Sequence, residues 1–65
     1  MKIIFQGKDA ETSAVHVAAF LAEKGIAVGE AVIELDGEIV SAAAAASTPL
    51  HQGAALNAFR IVAGG

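Results

Sequence analysis

One segment of this chain has the apolar periodicity of an α-helix, and shorter segments on both sides of it have the composition of β-strands. Val17, Phe20 and Leu21 lie at positions i, i+3 and i+4 and therefore share one side of a helix. The rest of the segment is largely alanine, which is the best helix former. A single apolar stripe needs a partner layer, and the flanking strands can supply one as a sheet.

The ends of this helix are predicted from local capping signals. Thr12 or Ser13 begins it, since either hydroxyl can accept a hydrogen bond from the free N–H groups of the first turn. The helix ends near Lys24, and Gly25 stands where a left-handed residue commonly terminates a helix. Ile26 is expected to fold back on the helix.

The segment before the helix predicts a β-hairpin. Residues 2–6 form a short β-rich run. Gly7 and Lys8 are predicted to form a two-residue turn, with glycine at the position that needs a positive φ. Residues 9–12 then return as a polar edge strand.

The segment after the helix predicts a second hairpin and one further strand. Asp36 and Gly37 are a strong tight-turn signal between strands over residues 31–35 and 38–40. The last strand is predicted over residues 55–62.

An alanine run between two serines, residues 41–47, connects the second hairpin to the last strand. It is too short to sustain a helix alone, so we expect a helical turn or a loop that leans on the sheet. Pro49 ends it, Leu50 is predicted to enter the core, and Gly53 marks a turn before the last strand.

Two hairpins that flank one helix, followed by a last strand, indicate a two-layer α+β domain. In this order the first and last strands are expected to lie side by side in the middle of the sheet. The predicted architecture is the β-grasp (ubiquitin-like) fold, a mixed sheet of four to five strands packed on one main helix. We expect one domain over residues 1–65, because the chain is too short for two.

The composition excludes several kinds of chemistry. The chain has no cysteine, which rules out disulfides, thiolate metal sites and a thiol nucleophile. It has four Lys and Arg residues and a net charge of −3, which argues against a nucleic-acid partner because such binding depends on neutralising phosphates. His16 and His51 have no second ligand at metal spacing, so we expect no metal site and no catalytic residue.

Two observations favour a cytoplasmic protein that does not interact with membranes. The longest apolar stretches are far too short to span a bilayer. The start of the chain, residues 1–5, turns polar at once and does not have the pattern of a signal peptide.

The end of the chain carries its most specific motif. Residues 59–62 continue the hydrophobic last strand, and residues 63–65, Ala-Gly-Gly, follow directly. This end resembles that of the thiamine-biosynthesis sulfur carriers, the ThiS family, and the order of the other motifs is similar over the whole chain. Asp36-Gly37 stands where the family usually has Asn-Gly, which is a mild departure.

The resemblance implies a carrier protein rather than an enzyme. Its reactive group would be the carboxylate of Gly65, with Ala63 and Gly64 as a flexible tail. An E1-like adenylyltransferase (ThiF type) would adenylate Gly65 with ATP and Mg, and the carrier itself would bind no cofactor. A persulfide from a cysteine desulfurase relay would convert the adenylate to a thiocarboxylate. A thiazole synthase (ThiG type) would then accept the sulfur for the thiamine thiazole.

A glycine tail suits such a partner for a physical reason. The adenylate must form in a closed site that excludes water, so the tail has to be thin. Glycine has no Cβ and adopts a wide range of backbone angles, and three or four extended residues reach about 10–14 Å.

Side-chain alternation predicts a docking surface beside the tail. If Leu56 and Ala58 face the helix, Phe59 faces outward, and Ile4 does so on the neighbouring first strand. Ile61 can join them. Because exposed apolar patches often mark partner surfaces, we predict that Ile4, Phe59 and Ile61 dock the activating enzyme.

Two other functions remain open from the sequence. One is the small subunit of molybdopterin synthase, another sulfur carrier, which also ends in Gly-Gly. The other is a ubiquitin-like conjugation module that joins its terminus to lysine. A conjugated protein gains the mass of its target, whereas a sulfur carrier exchanges one oxygen atom for sulfur. The fold alone does not decide between them.

Overall fold

The computed structural model describes residues 1–61. In this range the chain forms five strands, one α-helix and two short 3-10 turns. In chain order these are β1 (Lys2–Phe5), β2 (Lys8–Glu11), α1 (Val17–Glu23), a 3-10 turn (Val28–Glu30), β3 (Ala31–Leu35), β4 (Glu38–Val40), a second 3-10 turn (Ala45–Ser47) and β5 (Ala55–Arg60).

The five strands form one mixed sheet in the order β2-β1-β5-β3-β4. β1 and β5 are parallel neighbours, and the other pairs are antiparallel. The last strand therefore lies in the centre of the sheet beside the first. This arrangement, with one helix packed on the sheet, confirms the predicted α+β β-grasp architecture.

The core lies between α1 and one face of the sheet. The predicted helical stripe is confirmed, because its three apolar residues are fully buried. The largest fully buried side chains are Phe20, Ile3, Leu21, Ile33, Leu56 and Val17. They come from the helix and from the three central strands, and burial of each such side chain contributes about 1.5–3 kcal/mol.

The helix begins later than the sequence predicts. Its N-cap is His16, whose Nδ1 atom accepts a hydrogen bond from the N–H of Ala19 at 3.2 Å. The predicted caps, Thr12 and Ser13, are therefore wrong. Thr12 instead donates its hydroxyl proton to the Glu23 carboxylate at 2.7 Å, so it ties the chain ahead of the helix to the helix end.

The end of the helix confirms the prediction. Gly25 has a φ of +72°, and its N–H donates to the Ala22 carbonyl at 3.0 Å. The N–H of Ile26 donates to the Leu21 carbonyl at 2.9 Å, which completes a Schellman motif. Ile26 packs half-buried against the core, as expected.

Both hairpins close with two consecutive residues of positive φ, which is the pattern of a type I′ turn. Asp36 (+51°) and Gly37 (+86°) form the second turn, as predicted. The first turn is Gln6 (+53°) and Gly7 (+81°) rather than Gly7 and Lys8. The predicted position was wrong by one residue, because glycine takes the second place of the turn and β2 already begins at Lys8.

The connection from β4 to β5 packs mainly on the helix. The predicted helical turn is confirmed as a 3-10 turn, but its main contact is α1 rather than the sheet. Ala45 in this turn is fully buried, and His16 and Pro49 form an isolated antiparallel bridge. Leu50 is 7% exposed and belongs to the core, as predicted.

The last strand ends at Arg60, which is short of the predicted end at residue 62. Beyond Arg60 the N–H of Ile61 still donates to the Glu30 carbonyl at 2.9 Å, so the chain continues beside the start of β3. In the described part of the chain, no helix has the length and apolar character needed to cross a membrane.

Candidate functional site

The face of the sheet that points away from α1 carries exposed apolar side chains. Along β5, Leu56 and Ala58 are buried toward the helix, and the alternate residues point to the other side. The exposed fractions of Ile4, Phe59 and Ile61 are 39%, 55% and 57%. All three therefore lie at the surface, as alternation predicts, while their role in docking stays a prediction. We call this side of the sheet the outer face.

Three of the outer-face residues lie together where β5 ends. Phe59 is directly opposite Val32 of β3, and Val32 is 41% exposed. Opposite residues in antiparallel strands have Cβ atoms about 4.5–5.5 Å apart, so these two side chains are neighbours. Ile61 follows two residues after Phe59. We call Phe59, Val32 and Ile61 the tail-end patch. Val32 was not predicted from the sequence to belong to this surface.

Ile4 is separate from the tail-end patch. It pairs with Ala55, four residues before Phe59, which corresponds to about 13 Å along the strand. Polar side chains lie between the two positions, and the amide of Asn57 donates a hydrogen bond to the Glu34 carboxylate at 3.3 Å. The structure therefore puts Ile4 on the predicted face but does not bring it next to Phe59 and Ile61.

The predicted reactive residue lies outside the described residues. The predicted reactive residue is Gly65, and the predicted tail residues Ala63 and Gly64 also lie outside the described range. The structure describes the chain up to Ile61, so the site that can be analysed is the root of the tail and the surface around it.

Gln6 supports β5 beyond the end of β1. β1 ends at Phe5, which pairs with Leu56 of β5. The side-chain amide of Gln6 then continues the pairing. Its Nε2 atom donates to the Ala58 carbonyl at 2.8 Å, and its Oε1 atom accepts from the Ala58 N–H at 3.3 Å. The amide thus acts as a substitute peptide group beside β5.

A second polar arrangement lies at the start of β5. Oδ1 of Asp36 accepts a hydrogen bond from the Ala55 N–H at 2.9 Å, and Oδ2 lies 2.6 Å from Nε2 of His51. Nδ1 of His51 lies 3.0 Å from the Gln52 carbonyl. Both ring nitrogens therefore face acceptors, and only the protonated ring can donate to both.

These contacts shift the pKa values of both side chains in opposite directions. The pKa of His51 is raised from 6.5, first by its hydrogen bond with Asp36 and then by the Gln52 carbonyl. The pKa of Asp36 is lowered from 3.8, first by the Ala55 N–H and then by His51. Both groups are solvent-exposed, so the pair is a surface contact that joins the β3–β4 turn to the start of β5.

The described residues offer surface contacts rather than an enclosed site. Residues 1–61 contain no group of three or more His, Cys, Asp or Glu side chains that could hold a metal ion. No cavity was found in this part of the chain. The features available for recognition are the outer face, the tail-end patch and the polar contacts at the two ends of β5.

The strand order, the parallel central pair and the single packed helix define a ubiquitin-like β-grasp protein. No protein-family model matches the sequence, and no curated protein matches it.

Solved structures that resemble this chain include two of thiamine biosynthesis proteins from Geobacter metallireducens. The crystal structure of the protein ThiS is 23% identical, with 100% of both chains covered and a TM-score of 0.83. The NMR structure of a thiamine biosynthesis protein is 25% identical and has a TM-score of 0.78, with 100% of this chain and 88% of that chain covered. These likenesses show that the chain shares its fold with ThiS proteins over its full length.

Proposed function

We propose that this protein is a sulfur carrier of thiamine biosynthesis whose C-terminal Gly65 carries the sulfur as a thiocarboxylate. The observation that carries the proposal is the full-length likeness to ThiS in a chain whose central strand leads into a terminal Ala-Gly-Gly. The protein acts as a co-substrate of its partner enzymes rather than as an enzyme. It works in the cytoplasm and binds no cofactor of its own.

The chemistry begins with activation of the Gly65 carboxylate, which is a poor acyl donor by itself. A partner of the ThiF type joins a carboxylate oxygen to the α-phosphorus of Mg-bound ATP, and pyrophosphate leaves. The terminal sulfur of a persulfide, supplied by a cysteine desulfurase relay, then attacks the acyl carbon and AMP leaves with the C–O electron pair. A thiol reduces the resulting acyl disulfide and frees the thiocarboxylate. A thiazole synthase of the ThiG type accepts the sulfur.

The fold supports this role by giving the tail a firm base. β5 lies between β1 and β3 and ends at Arg60, so the proposed tail follows a strand in the centre of the sheet. The four residues after Ile61 can span about 13 Å when extended, which is long enough to enter a closed site on a partner. The last two of these residues are glycines, which have no side chain and can occupy a narrow channel.

The outer face would dock the activating enzyme through Ile4, Phe59 and Ile61. Phe59 is the strongest candidate, because it is aromatic, 55% exposed and adjacent to Val32 at the root of the tail. Ile4 would make a second contact about 13 Å away, on the far side of the polar residues.

Intact-mass spectrometry tests the carrier role. The protein is isolated from its own cells, with and without the activating enzyme, and is compared with a variant that lacks Gly64 and Gly65. We expect the complete protein to gain the difference between one sulfur and one oxygen atom only when the enzyme is present. Attachment to lysine residues of other proteins, or sulfur delivery by the shortened variant, would contradict the proposal.

A pair of variants tests the docking surface. Phe59→Ala should raise the KM of the activating enzyme for the carrier about tenfold or more, since a central aromatic contact at an interface is commonly worth 2 kcal/mol or more. Val15→Ala is the matched control, because Val15 is 64% exposed but lies just before α1. Circular dichroism should give folded spectra for both. An equal effect of the two variants on KM would refute docking through Phe59.

A further inference from the structure

We propose that Gln6 is a positioning residue for the tail, because its side-chain amide fixes the direction in which the chain leaves β5. This inference rests on the proposed sulfur-carrier function. In this role Gln6 acts through Ala58, with which its side chain makes two hydrogen bonds.

The two sides of β5 are supported over different lengths. On one side β3 pairs with β5 as far as Arg60, which lies opposite Ala31. On the other side the β1 pairing ends at Phe5 and Leu56. The side-chain amide of Gln6 extends this second support by two residues, to Ala58. β5 is thus flanked on both sides as far as Ala58, whose N–H and carbonyl both bond to Gln6, while β3 lies along its other side.

The backbone at Gln6 indicates that its side-chain length matters. Gln6 has a φ of +53° and is the first residue of a type I′ turn. Asn, Asp and Gly are the usual residues at such a position, because they tolerate positive φ best. Glutamine is less favourable than these residues at a positive φ. Its side chain has one methylene more than that of asparagine, and this additional length brings its amide to Ala58.

This anchor matters because it lies just before the tail-end patch. A strand that is held on one edge only can pivot about its single ladder, whereas pairing with β3 on one edge and the Gln6 contact with Ala58 on the other restrict that motion. Phe59 follows directly, and the tail starts a few residues later. Small errors in the placement of a reacting group can lower the rate strongly, so the direction of the chain at Ala58 affects delivery of Gly65.

Three variants separate this role from general stability. Gln6→Asn keeps an amide and suits the positive φ, but it is too short to reach Ala58. Gln6→Glu keeps the length, yet at neutral pH its carboxylate cannot donate to the Ala58 carbonyl. The matched control is Gln52→Asn, because Oε1 of Gln52 accepts from the Lys2 N–H at 3.0 Å, before the start of β5 and away from the tail.

Amide hydrogen exchange provides the structural readout. In Gln6→Asn the Ala58 N–H should exchange about tenfold faster, as expected for the loss of one backbone hydrogen bond. Gln52→Asn should leave this amide unchanged. Gln6→Glu keeps an oxygen that can accept from the Ala58 N–H, so at neutral pH this amide should exchange more slowly in Gln6→Glu than in Gln6→Asn. Unchanged exchange of Ala58 in Gln6→Asn would overturn the proposal.

Steady-state adenylation by the activating enzyme provides the functional readout. Gln6→Asn should lower kcat about tenfold with KM for the carrier nearly unchanged, because the docking residues are intact while the terminus is misplaced. A partly unfolded carrier would instead raise KM. Equal effects of Gln6→Asn and Gln52→Asn would overturn the positioning role alone. A wild-type protein that is never adenylated would overturn both this inference and the sulfur-carrier function.

Discussion

Replacing Phe20 by leucine tests whether the aromatic contacts under the helix stabilise this small domain. The Phe20 side chain is fully buried, and its ring meets that of Phe5 edge-on at 5.0 Å between centroids. The ammonium group of Lys24 lies 5.4 Å from the Phe20 ring centroid. Leucine keeps an apolar side chain at this position but removes both interactions with the ring.

The expected loss follows from these contacts. An edge-to-face aromatic pair contributes about 0.5–1.5 kcal/mol, and an exposed cation–π contact contributes about 0.5–1 kcal/mol. With imperfect refilling of the space, Phe20→Leu should lower the free energy of unfolding by about 2 kcal/mol. For a domain of this size that corresponds to a decrease in Tm of about 8–16 °C. It is a large fraction of the roughly 3–10 kcal/mol expected for the whole chain.

Urea denaturation followed by far-ultraviolet circular dichroism measures this loss, since the chain has no Trp or Tyr for fluorescence. Phe59→Leu is the matched control: it is the same chemical change on the exposed outer face, and it should alter stability by less than about 0.5 kcal/mol. The slope of the transition should be the same in all three proteins. Equal losses in the two variants, or no loss in Phe20→Leu, would refute the assignment of Phe20 to the core and Phe59 to the surface.

Two further predictions concern contacts outside the core. The raised pKa of His51 and the lowered pKa of Asp36 mean that their pairing stabilises the fold most between about pH 4 and 6.5, and less as the pH rises through the His51 value or falls through the Asp36 value. Asp36→Asn keeps an oxygen acceptor for Ala55 but removes the charge that pairs with His51. In urea titrations the wild type should lose stability from about pH 5.5 to 8.5, and Asp36→Asn should lose less. An unchanged loss would contradict the pairing. Gly25→Ala should cost about 1–2 kcal/mol, because a φ of +72° is unfavourable for a residue with a Cβ even though the space around it is open. Gly29→Ala has open space and no positive φ, so its urea midpoint should stay near that of the wild type, and a similar loss in both would contradict this account.

The overall fold could be predicted from the sequence because several local signals agreed. The stripe of Val17, Phe20 and Leu21 fixed one helix, and Gly25 fixed its end. Asp36-Gly37 fixed the second hairpin. Each wrong prediction was a choice between two local structures of similar free energy. Histidine is an uncommon N-cap, so hydroxyl side chains were predicted in place of His16. The first hairpin turn was misplaced because glycine can occupy either position of a two-residue turn, depending on the turn type.

The site could be predicted only where it depends on strand alternation. Alternation is enough to place Phe59 on the outer face. The distance of Ile4 from Phe59 and the neighbouring position of Val32 depend on the register between strands, which sequence patterns did not fix here. The contact of Gln6 with Ala58 joins residues far apart in the chain, and no local pattern indicates it.

Because β5 lies in the centre of the sheet, the complete sheet can form only after nearly the whole chain has been synthesised. Within residues 1–61, the hairpins β1–β2 and β3–β4 share no ladder with each other, and β5 joins them. A product that stopped before Ala55 would contain the residues of both hairpins but lack the strand between them, and an isolated hairpin is only marginally stable. Any molecule that has assembled the sheet has therefore been translated through Arg60, five residues before Gly65, which we propose as the reactive residue. Partners that recognise the assembled body would meet few inactive fragments competing for the same binding site.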